Sequence, residues 1–187
     1  MRIIGGTLGG RKFQPPSKMP HTRPTTDIAK EGLFNTLQNM IDFEGAKTLD
    51  LFGGTGSISY ELASRGATDL TIVERDKNQA SFIKNTAKDF KIENFNLIFG
   101  EVFKFINNCN ESYDFIFAGP PYALIEIDDL PKIVCERNLI AQDGIFVLEH
   151  TPRNNYENHP NFFKCKSYGT TLFSFFKANQ LKNNDGK

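Results

Sequence analysis

Two segments carry residue types whose spacing suits chemistry. Asp50-Leu51-Phe52-Gly53-Gly54-Thr55-Gly56 sets a glycine-rich turn between an apolar run and a helical pattern. Glycine lets a backbone approach a ligand closely and adopt positive φ, and the helix that follows offers unpaired N–H groups. A nucleotide-like ligand at the carboxyl edge of an open α/β sheet is the expected occupant. The dinucleotide fingerprint asks for a third glycine where Ser59 stands, and the Gly-Lys-Ser/Thr of a phosphate-binding loop is missing. Pyrophosphate is therefore disfavoured. Glu74 ends the next apolar run and is placed to accept hydrogen bonds from both hydroxyls of a ribose. S-adenosylmethionine, with ribose and adenine but no phosphate, has the required shape.

The second segment is Gly119-Pro120-Pro121-Tyr122, at the end of another apolar run. Two prolines fix the backbone and expose the next aromatic ring. A flipped or unpaired base stacked on Tyr122 would lie close to a sulfonium methyl group at the same sheet edge. Taken singly, a glycine loop is often a tight turn and a Pro-Pro turn a stiff loop. The ordered set of strand, loop, helix, strand and acid is what gives both segments functional meaning.

The elements that position them follow from periodicity. Apolar residues at helical spacing predict a helix over 26–41, with Thr25, Thr26 and Asp27 available to cap it. Strands are expected at 48–52, 70–74, 96–99, 113–118 and 145–148, and helices at 57–65, 78–90 and 128–137. The strands are nearly continuous apolar runs, as required when helices cover both faces. The result is an α/β, doubly wound, mostly parallel sheet. Segments near 162–166 and 171–177 are expected to pair antiparallel and close it. Two short strands around glycine turns in 2–13 predict a small N-terminal β-hairpin arm.

Composition narrows the class. The 187 residues carry 22 basic and 22 acidic side chains with 39% hydrophobic residues, which describes one globular domain and excludes a largely disordered chain. Cys109, Cys135 and Cys165 are odd in number and widely spaced, so neither a disulfide framework nor a metal site is expected. With no signal-like start and no run of 18 apolar residues, a cytoplasmic location without membrane contact is expected. The neutral total hides an asymmetry: Arg2, Arg11, Lys12, Lys18 and Arg23 all precede the first acid, Asp27. Such an arm is either a solvated extension or a salt-sensitive phosphate contact. The expected organisation is a basic, RNA-contacting arm over 1–25, a catalytic domain over 26–177 and a polar tail over 178–187.

Together with Val73-Glu74-Arg75-Asp76, the two segments resemble the class I amino-methyltransferases that carry an Asp/Asn-Pro-Pro-Tyr motif. The opening Arg2-Ile3-Ile4-Gly5-Gly6, then Gly10-Arg11-Lys12, Arg23-Pro24-Thr25-Thr26-Asp27 and Lys30-Glu31-Gly32-Leu33-Phe34-Asn35, narrow the resemblance to the small-subunit ribosomal RNA guanine-N2 methyltransferase family. It spans residues 1 to about 176. The resemblance implies a Rossmann-like fold and methyl transfer from S-adenosylmethionine, leaving S-adenosylhomocysteine, to a guanine N2 amine of 16S ribosomal RNA in a small subunit or its assembly intermediate. It further implies that Asp50, Phe52, Gly53, Gly54, Thr55 and Gly56, with Arg23, Pro24 and Thr25, surround the methionine part of the cofactor. Glu74 holds the ribose, Arg75 belongs to the cofactor-binding set, and Glu101 and Val102 lie beside adenine, where the family has Asp-Ala. Gly119, Pro120, Pro121 and Tyr122 form the catalytic turn, and Arg2, Arg11, Lys12 and Lys18 meet RNA.

One position departs from the family. Asp or Asn stands where this chain has Gly119. A guanine amine is a poor nucleophile because its lone pair is delocalised into the ring, and the missing side-chain oxygen is one of two acceptors for its N–H groups. Catalysis is expected to be weakened unless Glu149, His150, Glu126 or Asp128 substitutes. Two other readings stand beside this one: a non-catalytic RNA-binding or ribosome-assembly protein that keeps the cofactor pocket, and a nicotinamide-dependent oxidoreductase.

Overall fold

A computed structural model describes residues 1–16 and 25–179. Helix α1 (Asp27–Leu37) starts where the Thr26 hydroxyl accepts the Ala29 N–H, and it buries Ala29, Leu33, Phe34 and Leu37 along one stripe. Strand β1 (Lys47–Asp50), α2 (Ser57–Ser64), β2 (Asp69–Glu74), α3 (Lys77–Asp89) and β3 (Phe95–Phe99) follow. The Asp76 carboxylate caps α3 by accepting the Asn78 and Gln79 N–H groups. Then come α4 (Val102–Asn108), β4 (Tyr113–Ala118), a 3-10 turn (Ile125–Asp128), α5 (Asp129–Glu136), β5 (Ile140–His150), β6 (Phe162–Tyr168) and β7 (Thr171–Lys177).

The seven strands form one sheet in the order β3-β2-β1-β4-β5-β7-β6. The first five are parallel; β7 runs antiparallel to both β5 and β6. Alternation along the central strands sends side chains to opposite faces. Phe115, Phe117, Ile145 and Val147 pack toward α1 and α2, whereas Ile116, Ala118, Phe146 and Leu148 pack toward α4 and α5. After β3 the chain returns to the other side of β1, so the direction of winding reverses between β1 and β4. That reversal opens a crevice at the carboxyl ends of these two strands.

The expected hairpin arm is reduced to a single antiparallel bridge, Arg2 to Lys12. Its backbone is spent elsewhere: the Ile4 and Gly5 N–H groups donate to Glu61, the Thr7 N–H to the Ser64 carbonyl and the Leu8 N–H to the Ser64 hydroxyl. Gly6 has φ +75°, and a Cβ there would lie 1.8 Å from the Ser64 carbonyl oxygen. Ile3 and Phe13 bury against Tyr60 and Ala87. The arm is thus strapped to α2 and α3 over residues 1–16. Of the tail expected to fray over 178–187, Asn179 is held through its side-chain amide by the Cys135 carbonyl (3.1 Å), and 180–187 lie outside the described residues.

Helix α4 has no counterpart among the elements expected before β4. It has seven residues, no side-chain cap and two fully buried positions, Val102 and Ile106, too little for periodicity to register. Strand β5 starts five residues earlier than expected because Gln142-Asp143-Gly144 reads as a turn. The structure absorbs it as an irregularity, with Asp143 at φ +63°.

Candidate active site

Strand β1 delivers Asp50 to the crevice and the glycine loop turns there. Gly54 (φ +55°) and Gly56 (φ +78°) occupy left-handed conformations, and Gly56 is the residue immediately before α2. At Gly53 a Cβ would lie 2.6 Å from Ile72 Cγ2. The loop is pinned across strands, with the Gly53 N–H donating to the Val73 carbonyl (3.0 Å) and the Gly54 N–H to Glu74 Oε2 (2.7 Å).

Glu74 therefore does two things. It fixes the glycine loop and, through Oε1, accepts the Asp76 N–H at 2.7 Å, while its buried carboxylate still faces the crevice. Burial raises its pKa, and the Asp76 and Gly54 amides oppose the rise.

Asp50 is the more isolated acid. Its Oδ2 accepts the Ser59 hydroxyl at 2.8 Å, and its Oδ1 has no hydrogen-bond partner among the described residues. Ser59, which marks the broken dinucleotide pattern, is the residue that orients this carboxylate. Desolvation pushes the Asp50 carboxyl up from its ordinary 3.8 to about 6, against the Ser59 hydroxyl and the Phe52 amide. A raised carboxyl pKa means that the folded state holds a proton the unfolded chain has lost. Stability from this group is complete below about pH 4 and is lost as pH rises through 6. The difference corresponds to about 3 kcal/mol. Asp50→Asn is therefore expected to exceed the parent in stability by up to that amount at pH 7.5 and to match it near pH 4. Urea unfolding at both values measures this, and a pH-independent difference overturns it.

Across the reversal, β4 ends at Ala118 and the Gly119-Pro120-Pro121-Tyr122 turn begins. The Leu124 N–H closes it onto the Pro121 carbonyl (2.9 Å), leaving Tyr122 half-buried with its hydroxyl donating to Glu149 Oε1 at 3.3 Å. Glu149 sits near the end of β5, buried, and its Oε2 accepts the Thr25 hydroxyl.

These parts line one cavity of about 780 Å³, within the range of small-molecule sites. Thr25, Asp50, Phe52 and residues 53–55 border it on the β1 side; Glu74, Arg75, Glu101 and Val102 lie toward β2 and β3, and residues 119–122 toward β4. Gly56 lies just behind the loop and shapes it without bordering the space. Arg75 and Glu101 form an exposed ion pair at 3.5 Å on the rim. Sequence reasoning does not assign Gln79 or Phe103 to the cofactor or catalytic set and offers Glu149 only as one of four stand-ins for the missing acceptor, although all three border the cavity. Arg23, Pro24 and Lys18 lie outside the described residues. Arg2, Arg11 and Lys12 are exposed on the arm and away from the cavity lining; Arg2 pairs with Asp27 at 3.6 Å and Arg11 lies over the Phe90 ring.

The donor set suits S-adenosylmethionine. A buried carboxylate with an orphaned oxygen at Asp50 favours a cation, Glu74 offers acceptors to paired hydroxyls, and Phe103 and Val102 offer an apolar wall for a ring. Among the described residues no group of three or more His, Cys, Asp or Glu side chains is arranged to hold a metal, and no helix is long and apolar enough to cross a membrane.

Known proteins share this sequence pattern and fold. A family model described as conserved hypothetical protein 95 matches residues 1–177. The ribosomal RNA small subunit methyltransferase D of Escherichia coli K12 is 30% identical over 161 residues, covering 86% of this chain and 79% of that protein. A solved hypothetical protein of Thermus thermophilus superposes with a TM-score of 0.83 at 23% identity, covering 95% of this chain and 99% of that one. A Thermus thermophilus 16S rRNA N2 methyltransferase, solved with AdoMet and guanosine, shares the fold at a TM-score of 0.67 and 19% identity, over 84% of this chain and 45% of that chain.

Proposed function

This chain belongs to the conserved hypothetical protein 95 family, and from that membership and the geometry of its crevice we propose that it methylates ribosomal RNA, transferring a methyl group from S-adenosylmethionine to the N2 amine of a guanine in 16S RNA. The observation that carries the reading is the convergence of the pinned glycine loop, the buried Asp50 carboxylate with one unpartnered oxygen among the described residues, and the Tyr122 turn on one cavity. The curated relative named as a ribosomal RNA small subunit methyltransferase points to the same substrate class.

When bound, S-adenosylmethionine supplies an electrophilic methyl on a cationic sulfur. Asp50 offsets a positive charge on the cofactor, which removes the cost of keeping this carboxylate ionised at neutral pH. Glu74 holds the ribose hydroxyls while locking Gly54. Tyr122 stacks the target base at the opposite end, and base stacking on an aromatic ring contributes about 1–3 kcal/mol. Pro120 and Pro121 hold that ring at a fixed distance from the loop. The rate gain comes chiefly from proximity and orientation, with no covalent intermediate on the protein. Arg2, Arg11 and Lys12, exposed on a strapped and therefore ordered arm, neutralise phosphates. The particle is a small subunit or assembly intermediate, whose own fold selects the nucleotide.

Gly119 favours a second reading, an RNA-binding or assembly protein that holds the cofactor without turnover, because one preorganised acceptor is missing from the turn. Labelled methyl transfer to small subunits lacking the modification, followed by nucleotide mapping, separates the two. Label at a guanine N2 is the expected result. Tight cofactor binding with no transfer, even when Asp is placed at 119, overturns the enzymatic reading.

A further inference from the structure

The crevice contains an acid that the glycine at 119 brings into play. Gly119 has no positive φ requiring glycine, so its lack of a side chain is a matter of space and chemistry. A Cβ built there would lie 3.0 Å from Phe117 Cε1 and 3.7 Å from Glu149 Oε2. An Asp or Asn side chain extends beyond Cβ by about the length of one carboxyl group. The Glu149 carboxylate thus stands at the edge of the volume such a side chain would use.

Burial and two hydrogen bonds give that carboxylate a defined place. It is buried at the end of β5, it accepts the Thr25 hydroxyl on Oε2, and it accepts the Tyr122 hydroxyl on Oε1 at 3.3 Å. The last contact ties it to the ring on which the base is expected to stack. A carboxylate offers about four acceptor positions and so takes several donors at once. The other acids and the imidazole near the turn do not serve. Asp128 accepts from Tyr156 and Asn154, His150 contacts Ser174 and the Thr151 carbonyl, and Glu126 lies outside the cavity lining.

We propose that Glu149, reaching across from the neighbouring strand, supplies the acceptor that Gly119 lacks, making it a catalytic residue that binds one N–H of the guanine amine. This rests on the reading of the protein as a guanine-N2 methyltransferase. As the amine lone pair forms the new N–C bond, the C–S bond breaks and its electron pair stays on sulfur as a neutral thioether. The nitrogen becomes positively charged, the carboxylate strengthens its hydrogen bond to it, and the excess proton leaves along that bond to Glu149 and then to water. The Pro120 carbonyl accepts the second N–H.

The test has two readouts. The first is binding of guanosine against inosine, which lacks the 2-amino group, followed by NMR titration of the protein saturated with S-adenosylhomocysteine. The parent is expected to prefer guanosine by about tenfold or more, as for a hydrogen bond to a charged acceptor, and Glu149→Ala to lose the preference. The second is turnover on small subunits: Glu149→Ala is expected to lower kcat by roughly 100 to 1,000 fold, Glu149→Gln by less because its amide oxygen still accepts, and Gly119→Asp in the Glu149→Ala background to restore much of the rate. Parallel measurement of cofactor affinity identifies a collapsed pocket, in which case Glu149→Gln and the double variant decide. Unchanged guanosine preference or unchanged kcat in Glu149→Ala overturns the proposal. A parent that is silent on subunits but whose guanosine preference depends on Glu149 sinks the substrate assignment and leaves the acceptor role supported.

Discussion

Glu61→Ala is expected to destabilise the protein by about 3–5 kcal/mol, the usual consequence of removing one partner of a buried ion pair. Glu61 and Lys30 are both fully buried, 3.6 Å apart between Oε2 and Nζ. Glu61 also accepts the Ile4 N–H (2.7 Å), the Gly5 N–H (2.8 Å) and the Arg65 guanidinium (2.9 Å). Alanine leaves two arm amides without their acceptor and removes the buried counter-charge of an ammonium whose other hydrogen bonds go to the neutral Arg2 carbonyl and Ser57 hydroxyl. Burial already lowers the pKa of that ammonium, with Glu61 and Asp27 opposing the fall. In a domain whose total stability is about 5–15 kcal/mol, the loss is severe. For a chain of this size it corresponds to a fall in Tm of roughly 6–20 °C.

Two further variants distinguish the cause. Lys30→Met combined with Glu61→Leu removes both charges and is expected to recover part of the loss, because the desolvation cost disappears with the pair. Proteolysis is expected to cleave within residues 1–16 of Glu61→Ala before the rest of the chain, since the arm depends on this carboxylate. A Glu61→Ala protein with the parent Tm and a protected arm contradicts the assignment.

Glu61 also shows where sequence reading stops. In Ser57-Ile58-Ser59-Tyr60-Glu61-Leu62 it looks like an ordinary helix surface residue, and only the arm, more than fifty positions earlier, turns that surface into an interior. The central strands are legible for the opposite reason. Runs such as 115–118 are apolar at successive positions because both sheet faces are covered, a local signal that needs no knowledge of partners. Antiparallel closure by 171–177 is likewise legible from aromatic alternation, and β7 pairs with β6 as expected, whereas its pairing with β5 emerges only in the fold.

The candidate site divides in the same way. Asp50 and Glu74 end strands and the glycine loop and the Pro-Pro-Tyr turn directly follow them, so their order along the chain places them at one sheet edge. Glu149 is recognisable as a strand-end acid, but its relation to Gly119 and Tyr122 depends on β5 lying beside β4 in a particular register, Ala118 opposite Leu148. Ser59 is legible only as a missing glycine; its bond to Asp50 depends on one turn of α2 lying against β1. Local sequence carries element type and strand-end chemistry, whereas pairing between strands decides which acids converge.

On the proposed reading loop and cofactor both depend on Glu74, and Glu74→Ala is then expected to weaken S-adenosylmethionine binding by roughly 100 to 10,000 fold. Two ribose hydroxyls donating to a charged acceptor contribute about 1.5–3 kcal/mol each, and alanine also releases the Gly54 and Asp76 amides, both held at 2.7 Å. The two contributions separate by ligand. A cofactor analogue lacking both ribose hydroxyls loses the ribose contacts in the parent, so its affinity is expected to change in Glu74→Ala only by the cost of the loosened loop. Calorimetric titration of S-adenosylhomocysteine and of that analogue against both proteins therefore measures the ribose contribution as the difference between two ratios. Glu74→Gln keeps one acceptor oxygen but turns an amide NH2 toward a backbone or ribose donor, which places its affinity between the other two. If S-adenosylhomocysteine and the analogue lose affinity equally in Glu74→Ala, the carboxylate serves the loop alone and the ribose is held elsewhere.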